Sequence, residues 1–295
     1  MWIIIVTVGY LLNAISSVVN KSLLNKDIPN PVVYTFYICV LGLAVFVLAP
    51  FGLAWVGLKM FIISLVAGIL FTYALLTMFV ALLGDEVSRV TPLIGGLQPI
   101  FVFLLAFFFL GERLLDNQIV AFILILLGGI LITVQWQKAR QQQFKMFFWS
   151  FLSALLFAGS YVLSKYIFVN TDFISGFIWI RVGSFIGAMF LLIWRSNRQV
   201  IFGNVKNTGQ KIGLIFIAGQ VAGALSTILV NWAVALGSVT LVNAMQGLQY
   251  VFLFFLILIL ARRHPGWLKE NTKGWILVQK MVAIILIAGG LYFII

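Results

Sequence analysis

The chain has 295 residues, of which 63% are hydrophobic and 9% charged, and its mean hydropathy is +1.15. A soluble domain is roughly half apolar and about a quarter charged, so a soluble enzyme and a disordered chain are both excluded. One cysteine (Cys39) excludes an internal disulfide and one histidine (His264) a His-rich metal site, while the net charge of +12 lies in short gaps between apolar runs and suits lipid headgroups, not nucleic acid.

A membrane-spanning helix needs about 20 mostly apolar residues. Ten runs meet that need: 2–20, 32–53, 59–83, 90–110, 117–137, 145–168, 174–194, 211–235, 239–260 and 274–295. The expected fold is therefore an all-α integral membrane protein with ten transmembrane helices. The first run has no basic residues before it and no small-residue cleavage site after it, so it reads as a retained helix. The gaps are too short for an extramembrane domain.

Fourteen of the 19 Lys and Arg residues fall in odd-numbered gaps and three in even ones; Arg181 and Lys280 lie within runs. The positive-inside rule then places the odd gaps in the cytoplasm and both termini outside, in a multi-pass cell (inner or plasma) membrane protein. Trp2, Trp55, Trp149, Trp194, Trp267 and Trp275 lie near run ends, where an aromatic belt belongs.

The chain also repeats itself. Ser16 and Asn20-Lys21 match Ser160 and Ser164-Lys165, 144 positions later. Gly96-Leu97-Gln98 with Phe101 matches Gly247-Leu248-Gln249 with Phe252 at 151, and Gly128-Gly129 matches Gly289-Gly290 at 161. This shift is expected to grow along the chain because the second half carries longer gaps. The halves divide as 1–138, a linker at 139–144, and 145–295. Each holds five runs, an odd number, so they enter the membrane in opposite orientations as two inverted five-helix repeats. Such a pair is a physical basis for alternating access.

Five-plus-five helices, Lys after runs 1 and 6, the Thr91-Pro92…Pro99 segment and the run-4 ending Phe109-Leu-Gly-Glu-Arg-Leu114 together resemble the drug/metabolite transporter superfamily, in particular its EamA-type members. The resemblance covers the whole chain. It implies a central cavity between the halves and transport of small metabolites such as amino acids or related solutes. Two departures stand out. Run 9 ends Leu260-Ala-Arg-Arg-His264 without a Gly-Glu-Arg, and the resemblance implies cytoplasmic termini where the basic count implies the reverse.

A polar side chain in hydrocarbon needs a partner or a wet cavity, so polar residues within runs are the candidates for substrate binding. Arg181, about seven residues into run 7, could bind a carboxylate or phosphate, snorkel to the interface, or cap carbonyls. Gln98 and Gln249 are repeat-related, and Asn243, Gln246 and Gln249 lie three apart on one stripe beside a kink expected at Pro99. They would line a cavity or hydrogen-bond between helices. Asn13, Tyr161, Tyr73 and Asn231 complete the set, with the weaker Ser16, Ser17, Ser160, Ser164, Thr77, Gln220 and Ser226. Lys21, Lys165 and Lys280 read as headgroup or helix-end lysines. Gly183…Gly187 and Gly219…Gly223 read as close-packing motifs.

All seven acids (Asp27, Asp85, Glu86, Glu112, Asp116, Asp172, Glu270) sit in gaps or at run ends, and no Walker sequence is present. A facilitator or exchanger is expected, with no catalytic residue, cofactor or metal. The partners expected are a small-molecule metabolite and the lipid bilayer. The rivals are a non-transporting scaffold and, less favoured, an intramembrane enzyme on lipid-linked groups.

Overall fold

The computed structural model describes residues 1–24, 30–84, 87–133, 143–203, 210–263 and 275–294. Among them every regular element is helical. Helix α1 spans Trp2–Leu24 and α2 spans Pro31–Leu41, continuing as a 3₁₀ helix over Gly42–Phe51. Next come α3 (Gly57–Gly84), α4 (Val87–Leu105, ending in a π turn at Ala106–Leu110), α5 (Asp116–Thr133) and α6 (Gln143–Asn170). The rest are α7 (Phe173–Leu191), α8 (Arg195–Gly203), α9 (Gln210–Leu236), α10 (Val239–Ala244), α11 (Gly247–Arg263) and α12 (Trp275–Ile294).

Eight segments are long and apolar enough to cross a membrane. The runs expected at 117–137 and 274–295 contain shorter apolar helices, Asp116–Leu131 and Val278–Phe293. Large apolar side chains such as Ile4, Phe108, Ile123, Val221 and Ile285 face outward, as only lipid permits on this scale. The chain is a multi-pass membrane protein.

Helix starts follow local chemistry. Asn30 caps α2 ahead of Pro31, accepting from the Val32 and Val33 amides. Asp172 caps α7 through the Ser175 amide, and Ser238 caps α10 through the Leu241 amide. Gly111, at φ +65°, supplies the left-handed residue that ends the π turn.

Three details differ from the sequence expectation. The linker is shorter at its end, because α6 already begins at Gln143; residues 139–142 lie outside the described residues. A short helix, α8, fills part of the gap after run 7, its polar face exposed and Ile201 buried. Run 9 is two helices, α10 and α11, broken at Met245-Gln246. Helix α4 continues through Pro99, which leaves the Gly95 carbonyl without its helical donor. The Tyr250 hydroxyl fills the space beside Gly95, where even a Cβ would collide.

The packing is reciprocal. On α5, Ala121, Ile125 and Gly128 recur on α12 as Ala283, Ile287 and Gly290, each 162 positions later, so the packing matches Gly128 to Gly290 and not, as the shift of 161 had it, to Gly289. A Cβ on Gly128 would stand 2.7 Å from Ile287 Cγ1 and 2.8 Å from the Ala283 carbonyl oxygen. One on Gly290 would stand 2.5 Å from Ile125 Cγ1 and 2.9 Å from the Ala121 carbonyl oxygen. Each helix thus presents the same surface to the other, and the two run antiparallel.

A second correspondence links α1–α9 with α6–α3. A Cβ on Gly223 would meet Ser16 Oγ at 2.9 Å, and one on Gly9 would meet Val230 Cγ2 at 3.0 Å. At the equivalent places Ser160 Oγ donates to the Ala67 carbonyl and Ser153 Oγ to the Ala74 carbonyl, both at 2.9 Å. The shift is 144 from α1 to α6 and 156 from α3 to α9. It then falls to 151 in run 9, because α9 ends at Leu236, four residues before the place to which a shift of 156 carries the end of α3 at Gly84. It does not grow steadily along the chain.

Both small-residue motifs lie at close crossings. A Cβ on Gly183 would stand 2.5 Å from the Leu65 carbonyl oxygen, and one on Gly219 would stand 2.6 Å from Val19 Cγ1. At Gly183 the close neighbour is the backbone of α3, and at Gly219 it is the Val19 side chain, so both places favour a residue without a Cβ.

Candidate functional site

Two polar groupings occupy the interior. In the first, amides from helices distant in sequence bond one another. Gln98 Nε2 on α4 donates to Asn243 Oδ1 on α10 at 2.9 Å, and Asn243 Nδ2 donates to its own helix at Val239 O. Asn13 Nδ2 on α1 donates to Gln249 Oε1 on α11 at 3.0 Å, and Gln249 Nε2 donates to Ser17 Oγ at 3.1 Å. The Tyr10 hydroxyl donates to the Val242 carbonyl at 2.8 Å. Of the two readings open for these amides, interhelical hydrogen bonding is the one seen. They form a seam between residues of the first half and residues of the second.

The stripe Asn243-Gln246-Gln249 stays aligned through the helix break. The turn there bonds Gln246 N to Asn243 O and Gln249 N to Gln246 O, and such i→i+3 bonds bring side chains three apart onto one line. Gln246 Oε1 is sealed in the interior without a partner among the described residues. Asn231 bonds its own helix at Thr227 O.

The second grouping centres on Arg181. Neither structural reading of this residue is seen: it does not snorkel, being 9% exposed, and among the described residues it caps no carbonyl. Among the described residues it makes no hydrogen bond and no ion pair. Its guanidinium carbon lies 4.7 Å from the Phe71 ring centroid on α3 and 5.0 Å from that of Phe177 on α7. Its Cδ packs 3.7 Å from where Gly42 would carry a Cβ, at the point where α2 changes to 3₁₀ winding. Ten residues of 3₁₀ helix is a long run, and such mid-span changes often mark hinges.

Helix α7 is tied to its neighbours by hydrogen bonds. Besides the Asp172 cap, Ser175 Oγ accepts from Ala54 N at 2.8 Å and donates to Gly52 O at 3.2 Å. Thr72 Oγ1 on α3 donates to the Ser184 carbonyl at 2.8 Å. Tyr161, on α6, lies within electrostatic reach of Arg181 and of Tyr10, a member of each grouping. Neither its hydroxyl nor that of Tyr73 has a hydrogen-bond partner among the described residues. Tyr37, the counterpart of Arg181 by the 144 shift, bonds the Ile201 carbonyl of α8 at 3.4 Å.

Two lysines differ from expectation. Lys165 does not close its own helix, because α6 runs on to Asn170. Its Nζ instead donates to the carbonyls of Val234, Ala235 and Gly237 at 2.9, 3.1 and 2.8 Å, where α9 ends. Those are the carbonyls a helix leaves without partners, and they lie at the negative end of its dipole. Glu112 stands near Lys165 and accepts a short hydrogen bond from Ser238. A cleft of about 460 Å³ opens at this end beside Phe109, Glu112, Lys165 and Ser238. Lys280 is not at the headgroups either: it is buried on α12, with Nζ 4.6 Å from the Phe254 ring centroid. Lys21 and His264 lie outside the side chains described.

Sequence reasoning passed over Tyr10, Phe71, Phe177 and Ser153. Tyr10, Asn13 and Ser17 share one helical stripe, which was a usable signal for Tyr10. Phe71 and Phe177 carried none, since phenylalanine is common throughout these runs.

No family model matches the chain, and no curated protein matches it. Among solved structures, one crystal structure of a protein superposes with a TM-score of 0.68 over 99% of this chain and 96% of its own length, at 17% identity. At that identity the likeness establishes a shared fold and nothing about activity.

Proposed function

We propose that the protein is a ten-helix secondary carrier of small polar metabolites, made of two inverted five-helix repeats (1–138 and 145–295) that alternate access across the cell membrane. The observation that carries this reading is the reciprocal packing. Antiparallel α5 and α12 offer each other one surface, and α1–α9 is matched by α6–α3. Two halves related in this way have two arrangements of similar energy, open to opposite faces. The resemblance to EamA-type transporters agrees with it, as does a polar interior flanked by both halves. The absence of mid-run carboxylates in the sequence favours a facilitator or exchanger. The basic odd gaps then face the cytoplasm.

Reconstitution tests this. Proteoliposomes preloaded with unlabelled phenylalanine, glutamate, glucose 6-phosphate or uridine are given the same labelled solute outside. Counterflow of at least one, unstimulated by a pH gradient, is the expected result. Failure of all four with correctly folded protein contradicts the carrier reading.

A further inference from the structure

Arg181 is an isolated cation. It is nine-tenths buried, has no hydrogen bond or carboxylate among the described residues, and is not one of the side chains whose polar atoms are sealed off without partners. Burying a charge is costly unless it is paired, so a lone guanidinium persists where something outside the chain completes it. Its surroundings are suited to that end. Phe71 and Phe177 hold the guanidinium by cation–π contact, and its N–H donors stay unused among the described residues. The Tyr161 hydroxyl, also without a partner, stands within electrostatic reach. The residues around it come from both halves: Gly42 and Phe71 from the first, Tyr161 and Phe177 from the second.

We infer that Arg181 is the anion subsite of the carrier: the solute presents a carboxylate or phosphate group, held by the planar donor fork of Arg181 and by the Tyr161 hydroxyl. This rests on the carrier reading for its purpose but not for its test. A solute lacking an anionic group leaves the buried cation uncompensated, so neutral and cationic solutes of the same shape are rejected.

The test is binding to the purified full-length protein in detergent, read as the shift in melting temperature. The probes are acetate, benzoate, inorganic phosphate and phenylphosphate, with chloride as the reference anion at equal ionic strength, and neutral benzamide and cationic benzamidine as controls. At least one carboxylate or phosphate is expected to raise the midpoint by about 3 °C or more at saturating concentration, while both controls do nothing. A shift confined to the carboxylates or to the phosphates identifies which group the site takes. Arg181→Gln is expected to abolish the shift without lowering the midpoint of the unliganded protein, since an unpaired buried charge is removed. Arg181→Lys keeps the charge but loses the fork, and binding should weaken about tenfold or more. A shift that survives both substitutions, or the absence of any shift by all four anions in the native protein, overturns the proposal. Anion binding without vesicle transport would retire the carrier and keep the subsite. Counterflow of a neutral solute unaffected by Arg181→Gln would do the opposite.

Discussion

Replacing Gly128 by alanine builds a methyl group 2.7 Å from Ile287 Cγ1 and 2.8 Å from the Ala283 carbonyl oxygen; replacing Gly290 builds one 2.5 Å from Ile125 Cγ1 and 2.9 Å from the Ala121 carbonyl oxygen. The isoleucine can rotate, but the carbonyl belongs to a helix and moves only if the helices part. Overpacking of this kind costs about 1–3 kcal/mol, against which alanine recovers about 1 kcal/mol of helix propensity. Each variant should therefore lose up to about 2 kcal/mol, and the two losses should agree to within about 0.5 kcal/mol because the surfaces are equivalent. Gly289→Ala is the control: nothing lies within 4 Å of its Cβ, so it should be neutral or stabilising by up to about 1 kcal/mol. Thermal or denaturant unfolding in detergent reads all three, at about 2–4 °C per kcal/mol. The double variant should lose less than the sum, since one separation of α5 from α12 relieves both clashes. If one variant is neutral while the other is severely destabilised, the two surfaces are not equivalent and the reciprocity argument fails.

Lys165→Met removes the donor to three helix-end carbonyls and should cost about 2 kcal/mol or more, whereas Lys59→Met and Lys145→Met, at exposed positions, should stay within about 0.5 kcal/mol; comparable losses in all three by thermal unfolding would mean that the cap contributes nothing. Gln98→Leu should destabilise by about 1–3 kcal/mol because Asn243 Oδ1 loses its donor inside the bundle. A double-mutant cycle with Asn243→Leu should give a coupling near 0.6 kcal/mol and below about 1.7 kcal/mol; zero coupling would deny the seam.

Apolar runs were readable residue by residue because lipid demands them, and all but two emerge as spans of full length. The glycine motifs at 183–187 and 219–223 were readable for the same reason: small residues at four-residue spacing have few other uses in lipid. What was hidden is which face of each helix meets which neighbour. In a soluble helix the polar side marks the outside, but here both sides of α5 and α12 are apolar, so the Ala121-Ile125-Gly128 surface shows only in contact with its counterpart. Lys165 was misjudged because its helix outruns the apolar core, placing the lysine opposite the end of α9. The amides at 13, 98, 243 and 249 were correctly singled out as interior, but pattern alone could not say that they pair across the seam. Nor could it show that Arg181 remains without such a partner.

Alternating access is tested most directly without knowing the solute. In a Cys39→Ala background, Tyr161→Cys places a single thiol on α6 within electrostatic reach of both polar groupings. Oriented vesicles are then exposed to an anionic, membrane-impermeant methanethiosulfonate from one face at a time. Labelling from each face, faster than with a cationic reagent of the same size, is the expected outcome. A thiol reached from neither face, or from one face only, would show a middle that does not open alternately and would contradict the carrier.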